Sequence, residues 1–217
     1  MKYLRVGLLF LFCITFTFPA ASNSEAAPTP SPTLAPPLLL IAPKGSVPPS
    51  FEISFNPQGK TKIDIWEDFQ CANCAKFNSI NGDFLAKVIN EGNIKLSFHI
   101  LSFLGSDSVV LANAAACAVD EGKFLQAHSQ LFNLQAQNKN SGIWTSEYLK
   151  TKMAEVGISS AKFENCINSK KYLKWVAAVQ KTATKSRILA TPTVLINGKA
   201  INRSTDYFNS AAFEAVV

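Results

Sequence analysis

One stretch, Lys62 to Phe77 (KIDIWEDFQCANCAKF), constrains this chain more than any other. Ile63, Ile65 and Trp66 make a short strand, which runs straight into Cys71-Ala72-Asn73-Cys74. A helical pattern follows to about Asn90, with Phe77, Ile80, Phe84, Leu85 and Val88 on or near its buried face. A strand that delivers Cys71 to the first turn of a helix sets its sulfur among unpaired N–H groups at the positive end of the helix dipole. That setting favours a thiolate. Two intervening residues bring Cys74 round one turn, close enough to form a disulfide with Cys71 and to resolve a mixed disulfide. The same spacing also serves as half of a zinc site. Zinc needs two further ligands, and the candidates Cys117, Cys166, His99 and His128 are nowhere paired at ligand spacing. The redox reading is therefore preferred, with no metal and no cofactor expected.

Far along the chain, Thr191-Pro192-Thr193 opens a run through Ile196 that reads as a strand ending in an Asn197-Gly198 hairpin turn. Three blocks in this order, DFQCANCAKF, ANAAACAVDEGKF and TPTVLINGK, resemble the exported, DsbA-like branch of the thioredoxin superfamily. The resemblance covers about Glu52 to the C-terminus. It implies an α/β thioredoxin fold with an all-helical insertion between its two halves, at about residues 105–187, covering the active site and forming part of the substrate groove. Pro192 matches the proline that the superfamily holds cis beside the C-x-x-C. A cis bond there turns the backbone of Thr191 outward, where its N–H and C=O pair with an extended substrate like an added strand.

Two positions depart from the family pattern. Strongly oxidising members often carry histidine where this chain has Asn73, and an amide dipole stabilises a thiolate less than a cation does. A milder poise is the expectation. Many relatives also bury an acid six residues before the nucleophile, as proton acceptor for the inner thiol, and here that residue is Ile65. The role is then absent, or moved to Glu67 or Asp68, which could equally be solvated loop carboxylates.

Taken in order, the chain begins with Lys2 and Arg5 ahead of an apolar run from Val6 to Phe18, the layout of a secretory signal. The run is shorter than the about 20 apolar residues that span a bilayer. Ala20-Ala21-Ser22 offers a cleavage site, so residues 1–22 read as a signal peptide, with a retained anchor as the alternative. Cys13 lies behind bulky Leu11 and Phe12, where a lipobox would place small residues. Residues 23–50 hold most of the eleven prolines and keep no apolar period, which describes an extended linker. Residues 51–217 form one domain of ordinary size. Loss of Lys2 and Arg5 with the leader lowers the formal charge from +6 to +4, and the lysines are scattered, so nucleic acid is not an expected partner.

Within the domain, Phe51 to Phe55 alternates as an edge strand, and Ile94, Leu96, Phe98 and Ile100 recur on one side of a strand to Leu101. Helices are predicted from Ser108 to Val119 and on to Leu134, from Thr145 or Ser146 to Val156, from Ser160 through Ile167, and from Tyr172 to Ser186. A short strand near Ala200-Ile201 and a final helix from about Asp206 complete the pattern. Cys117 and Cys166 fall in different helices of the insertion. As an even remainder in an exported chain they read as a structural disulfide worth about 3–4 kcal/mol, with two buried free thiols as the alternative. His99 and His128 read as packed residues, as do Trp66 and Trp144.

The function these readings imply is an exported thiol–disulfide oxidoreductase, with Cys71 as nucleophile and Cys74 as resolving thiol. It would introduce disulfides into extended, cysteine-containing proteins and be reoxidised by a quinone-linked oxidase in the membrane. Two alternatives remain open on sequence: a reductase or isomerase of the same fold, and a non-catalytic binding domain stapled by two disulfides.

Overall fold

The computed structural model describes residues 51–138 and 141–217; the predicted signal peptide and the proline-rich linker lie outside the described residues. Twelve elements follow one another in the described chain. Strands β1 (Ile53–Phe55) and β2 (Thr61–Glu67) precede helix α1 (Ala72–Glu91) and strand β3 (Ile94–Ile100). Five helices come next: α2 (Ser106–Val119), α3 (Phe124–Asn138), α4 (Ser146–Ala154), α5 (Ala161–Asn168) and α6 (Leu173–Lys185). Strands β4 (Thr193–Ile196) and β5 (Lys199–Ala200) and helix α7 (Ser210–Val216) close the chain. The sheet runs β1-β3-β2-β4-β5.

Strand β2 pairs parallel with β3 across the α1 crossover, with Ile63 opposite Leu96 and Ile65 opposite Phe98. Strand β4 joins the other edge of β2 antiparallel, Ile65 facing Val194. This is a thioredoxin fold with an all-helical insertion between its halves. Because β2 lies at the centre, its C-terminal end and the start of β4 are forced together, and that end carries the cysteines.

The strands are buried more completely than their alternation predicts. On β3, Ser97 and His99 are buried along with Leu96, Phe98 and Ile100. Helices cover both faces of a central strand of a thioredoxin sheet, so polar side chains on the second face also leave water. On the first face, Phe55, Phe98 and Phe124 pack against one another, with ring centroids 5.2–6.2 Å apart.

Local chemistry accounts for the boundaries. Gly92 ends α1 in the left-handed region at φ 76°, its N–H bonded to the Val88 carbonyl. Thr145 and Ser160 cap α4 and α5, each hydroxyl accepting an N–H three residues on. The last helix starts at Ser210 rather than near Asp206. Asn209 is its cap, accepting from the Ala212 N–H at 3.0 Å, while the Asp206 carboxylate accepts from the Asn202 N–H at 2.8 Å and holds residues 202–206 in a turn. Residues 117 and 166 meet where α2 packs on α5, and a disulfide joins them, with Cα atoms 5.8 Å apart. Among the described residues, no helix is long and apolar enough to cross a membrane.

Candidate active site

Helix α1 begins immediately after Cys71, which is its N-cap in extended conformation. The Cys71 N–H donates to the Asp68 carbonyl at 2.9 Å, and the Cys71 carbonyl accepts from Cys74 at 3.0 Å and Ala75 at 3.1 Å. This turn leaves the Cys71 side chain half-buried and carries Cys74 wholly inside. Both are free thiols in this structure.

Identical side chains, one turn apart, are driven in opposite directions. The Cys71 thiol is lowered to about 5, chiefly by hydrogen bonding to the Cys74 thiol and then by the Thr191 hydroxyl and the backbone N–H groups of Cys74 and Asn73, against a partial burial cost. Cys74 is raised well above an ordinary thiol, first by burial and then by the Cys71 and Glu67 charges. At neutral pH the outer sulfur is a thiolate and the inner one holds its proton. Asn73 contributes to this through its backbone N–H.

The loop ahead of β4 closes the site from the other side. The Thr191–Pro192 peptide bond is cis, and the Cys71 sulfur lies 3.4 Å from the Thr191 carbonyl oxygen. Cys71, Cys74, Thr191 and Pro192, which are separated by 120 residues of chain, thus form one cluster. Leu189, two residues before Thr191, is 86% exposed, and Phe103 and Leu104 are exposed as well. The Leu104 N–H donates to the Asp68 carboxylate at 3.3 Å.

Neither Glu67 nor Asp68 is a solvated loop carboxylate; they are 1% and 0% exposed. Asp68 accepts from the Gln70 N–H at 2.8 Å and the Ser108 hydroxyl at 2.7 Å as well as from Leu104, so it ties the cysteine loop to the insertion. Burial raises it, against those three hydrogen bonds. Glu67 Oε1 lies 2.5 Å from Nε2 of His128 on α3, itself buried and ringed by Phe69, Phe98, Phe124 and Phe132. The negative charge of Glu67 also helps hold the Cys74 proton in place.

His99 is buried, stacked on Trp66 at 3.8 Å and bonded to the Phe51 carbonyl and the Asp64 carboxylate. Trp144 is buried in the insertion against Tyr148. Sequence reasoning missed Arg203. Its guanidinium donates to the Thr191 carbonyl at 3.1 Å and the Pro192 carbonyl at 2.5 Å, and no motif or periodicity marks it.

A family model described as Thioredoxin matches residues 56–213. Among curated proteins, "Disulfide bond formation protein D" of Bacillus subtilis is 27% identical over 148 residues, covering 64% of this chain and 64% of that protein. The matched region therefore spans just under two thirds of that relative. Among solved structures, the thiol-disulfide oxidoreductase MdbA from Actinomyces oris superposes with a TM-score of 0.70 at 24% identity, covering 85% of this chain and 92% of that one. Reduced DsbA from Mycobacterium tuberculosis gives a TM-score of 0.61 at 28% identity, covering 72% of this chain and 80% of that one.

Proposed function

The chain belongs to the thioredoxin family, in its DsbA-like branch, and from that premise we propose that it is an exported protein-disulfide oxidoreductase working in the oxidative direction. One observation carries this reading: the two thiols of one motif are pushed apart, Cys71 to about 5 and Cys74 well upward. A structural disulfide needs no such asymmetry. A dithiol catalyst does, since one sulfur must attack or leave as a thiolate and the other must stay dormant until its turn.

In the proposed cycle, a substrate thiolate attacks the Cys71 sulfur of the Cys71–Cys74 disulfide. The bond between the two cysteines breaks and Cys74 leaves with the electron pair. Buried as it is, Cys74 takes a proton at once, and the Glu67–His128 pair is the group that supplies it. A second substrate thiolate then attacks the substrate sulfur of the mixed disulfide, and Cys71 leaves as a stable thiolate. The substrate has gained a disulfide and the enzyme holds two electrons. A membrane oxidase, quinone-linked in our reading, removes them, while Glu67–His128 takes the Cys74 proton back.

A thiolate stabilised in the reduced enzyme lowers the energy of the dithiol, and so makes the disulfide more oxidising. Export, supported by the leader-like residues 1–22, agrees with that direction, because disulfides persist outside the cytosol. Thr191 and Pro192 are proposed to pair with an extended substrate, and Cys117–Cys166 to staple the insertion. The test is oxidation of a reduced two-cysteine peptide, coupled to a measured reduction potential. A potential well above that of thioredoxin (about −270 mV), with activity lost in a folded Cys71→Ser protein, supports the oxidase. A potential at or below thioredoxin's makes the protein a reductase, and no reversible couple makes the pair structural.

A further inference from the structure

Arg203 stands at the centre of an arrangement that the proposed cycle does not use. It follows β5 in the turn that Asn202 and Asp206 hold together, and it is half-buried. Its fork spans two successive carbonyls, those of Thr191 and Pro192. The guanidinium lies over the ring of Tyr207, 5.5 Å from its centre. Tyr207 in turn is fixed: its hydroxyl accepts the Val194 N–H at 2.8 Å, and its carbonyl accepts from Asn81 of α1 at 2.8 Å. Among the described residues no carboxylate forms an ion pair with Arg203. A fixed, unneutralised cation therefore sits at the loop facing Cys71.

The Thr191 oxygen is the point of convergence, since it receives Arg203 at 3.1 Å and lies 3.4 Å from the Cys71 sulfur. With Cys71 as a thiol, the S–H donates to that oxygen. Once the proton leaves, a negative sulfur faces a negative carbonyl dipole at the same distance, and the contact turns repulsive. An N–H of a cation on the same oxygen offsets the dipole and puts a positive charge within two hydrogen-bond lengths of the sulfur.

We infer that Arg203 is a positioning residue for the nucleophile: by holding the Thr191 and Pro192 carbonyls, it allows Cys71 to carry a negative charge against this loop. The inference rests on the reading of Cys71 as the nucleophile. It also assigns a cationic element to a site whose C-x-x-C contains none, since Ala72 and Asn73 are both uncharged. Other ionisable groups facing the two sulfurs are Asp68 from the loop before α1, Glu67 at the end of β2 and Tyr207. The two carboxylates oppose a thiolate, so Arg203 is the cation set against them.

The experiment is titration of the reduced full-length protein by thiolate absorbance, with the rate of Cys71 alkylation across pH as a second readout. Wild type, Arg203→Gln and Arg203→Lys are compared, with circular dichroism and melting curves to confirm folding. Removing the charge weakens the acidity of Cys71 about tenfold, the size of a unit charge about 6 Å away in a medium between protein surface and water. The reduction potential falls correspondingly by about 30 mV. Arg203→Lys keeps the charge and loses the two-pronged grip, so it shifts the titration less. If Arg203→Gln does not fold, the lysine variant and the preference of Cys71 for iodoacetate over iodoacetamide, which the cation raises and salt suppresses, decide the matter. A folded Arg203→Gln protein with an unmoved Cys71 titration, or a wild-type reagent preference indifferent to salt, overturns the inference. A wild-type protein with no thiol titrating below pH 7 instead overturns the assignment of Cys71, and the role of Arg203 with it.

Discussion

The depressed acidity of Cys71 is also a statement about stability. In the unfolded chain its thiol titrates near an ordinary cysteine value of about 8.5, whereas in the folded, reduced protein it titrates at about 5. Between those pH values the unfolded state binds one more proton than the folded state, so the unfolding free energy rises with pH. The limiting slope is about 1.4 kcal/mol per pH unit. The contribution is complete above the unfolded value and disappears as pH falls through 5. At pH 7 the two-unit interval corresponds to about 2.7 kcal/mol at most, and solvent screening of a half-buried sulfur reduces it to about 1–2 kcal/mol. Cys74 adds little below pH 8, because burial keeps it protonated in the folded state and an ordinary thiol is mostly protonated there in the unfolded chain. The assay is urea unfolding of the reduced protein and of Cys71→Ser at matched pH from 5 to 8. The difference between the two unfolding free energies is small at pH 5 and widens in favour of the cysteine protein as pH rises. Parallel profiles, or a gap that narrows with pH, would refute the argument.

Four further outcomes follow from the same geometry. Cys74→Ser leaves the attacking sulfur without its resolving partner, so substrate accumulates as a mixed disulfide on Cys71, visible by mass spectrometry and released by reductant. Glu67→Gln preserves shape but cannot pass a proton, slowing turnover by about a hundredfold, the low end for a general acid–base group; His128→Ala leaves a buried carboxylate unpaired and lowers stability by about 3–5 kcal/mol in denaturant melts. Replacing Cys117 and Cys166 together by serine removes a cross-link across 49 residues, which costs about 4 kcal/mol in the chain-entropy model and lowers the melting temperature by about 10 °C, with the reduction potential of the Cys71–Cys74 pair unchanged.

Much of the fold was legible because its signals are local. Periodicity and caps indicate α1, α4 and α5; the Asn197-Gly198 turn, with φ of 50° and 78°, indicates the β4–β5 hairpin. Burial on the second face of β3 was only partly legible: His99 reads as a packed residue, but Ser97 alternates as a solvent-facing position and is nonetheless buried. The end of the chain misled for a related reason. Asp206 resembles a helix start, but its carboxylate is already engaged four residues back, and Asn209 takes the cap.

At the site the division is sharper. The C-x-x-C, the Thr-Pro pair and the remaining cysteines announce themselves by residue type and spacing. Glu67 and Asp68 were visible only as two acids of uncertain purpose, and what distinguishes them lies 40 and 61 residues away, in Ser108 and His128. Arg203 could not be seen at all, because the property that matters is two backbone carbonyls 11 and 12 residues upstream, and backbone atoms leave no trace in sequence. The common feature is that, in the proposed cycle, each hidden partner adjusts charge around a sulfur that the motif already marks. Sequence marks the candidate sulfurs, and neighbours within the motif, together with Thr191 from 120 residues away, lower the Cys71 thiol. Asn73 illustrates the point: judged within its motif, it predicts a thiolate less stabilised than histidine would give, and the Cys71 thiol is lowered to about 5 through Cys74, Thr191 and backbone donors. The poise of such an enzyme is therefore a property of what surrounds the motif as much as of the two residues inside it. Exchanging Asn73 for histidine would add to a thiolate already held, rather than create one.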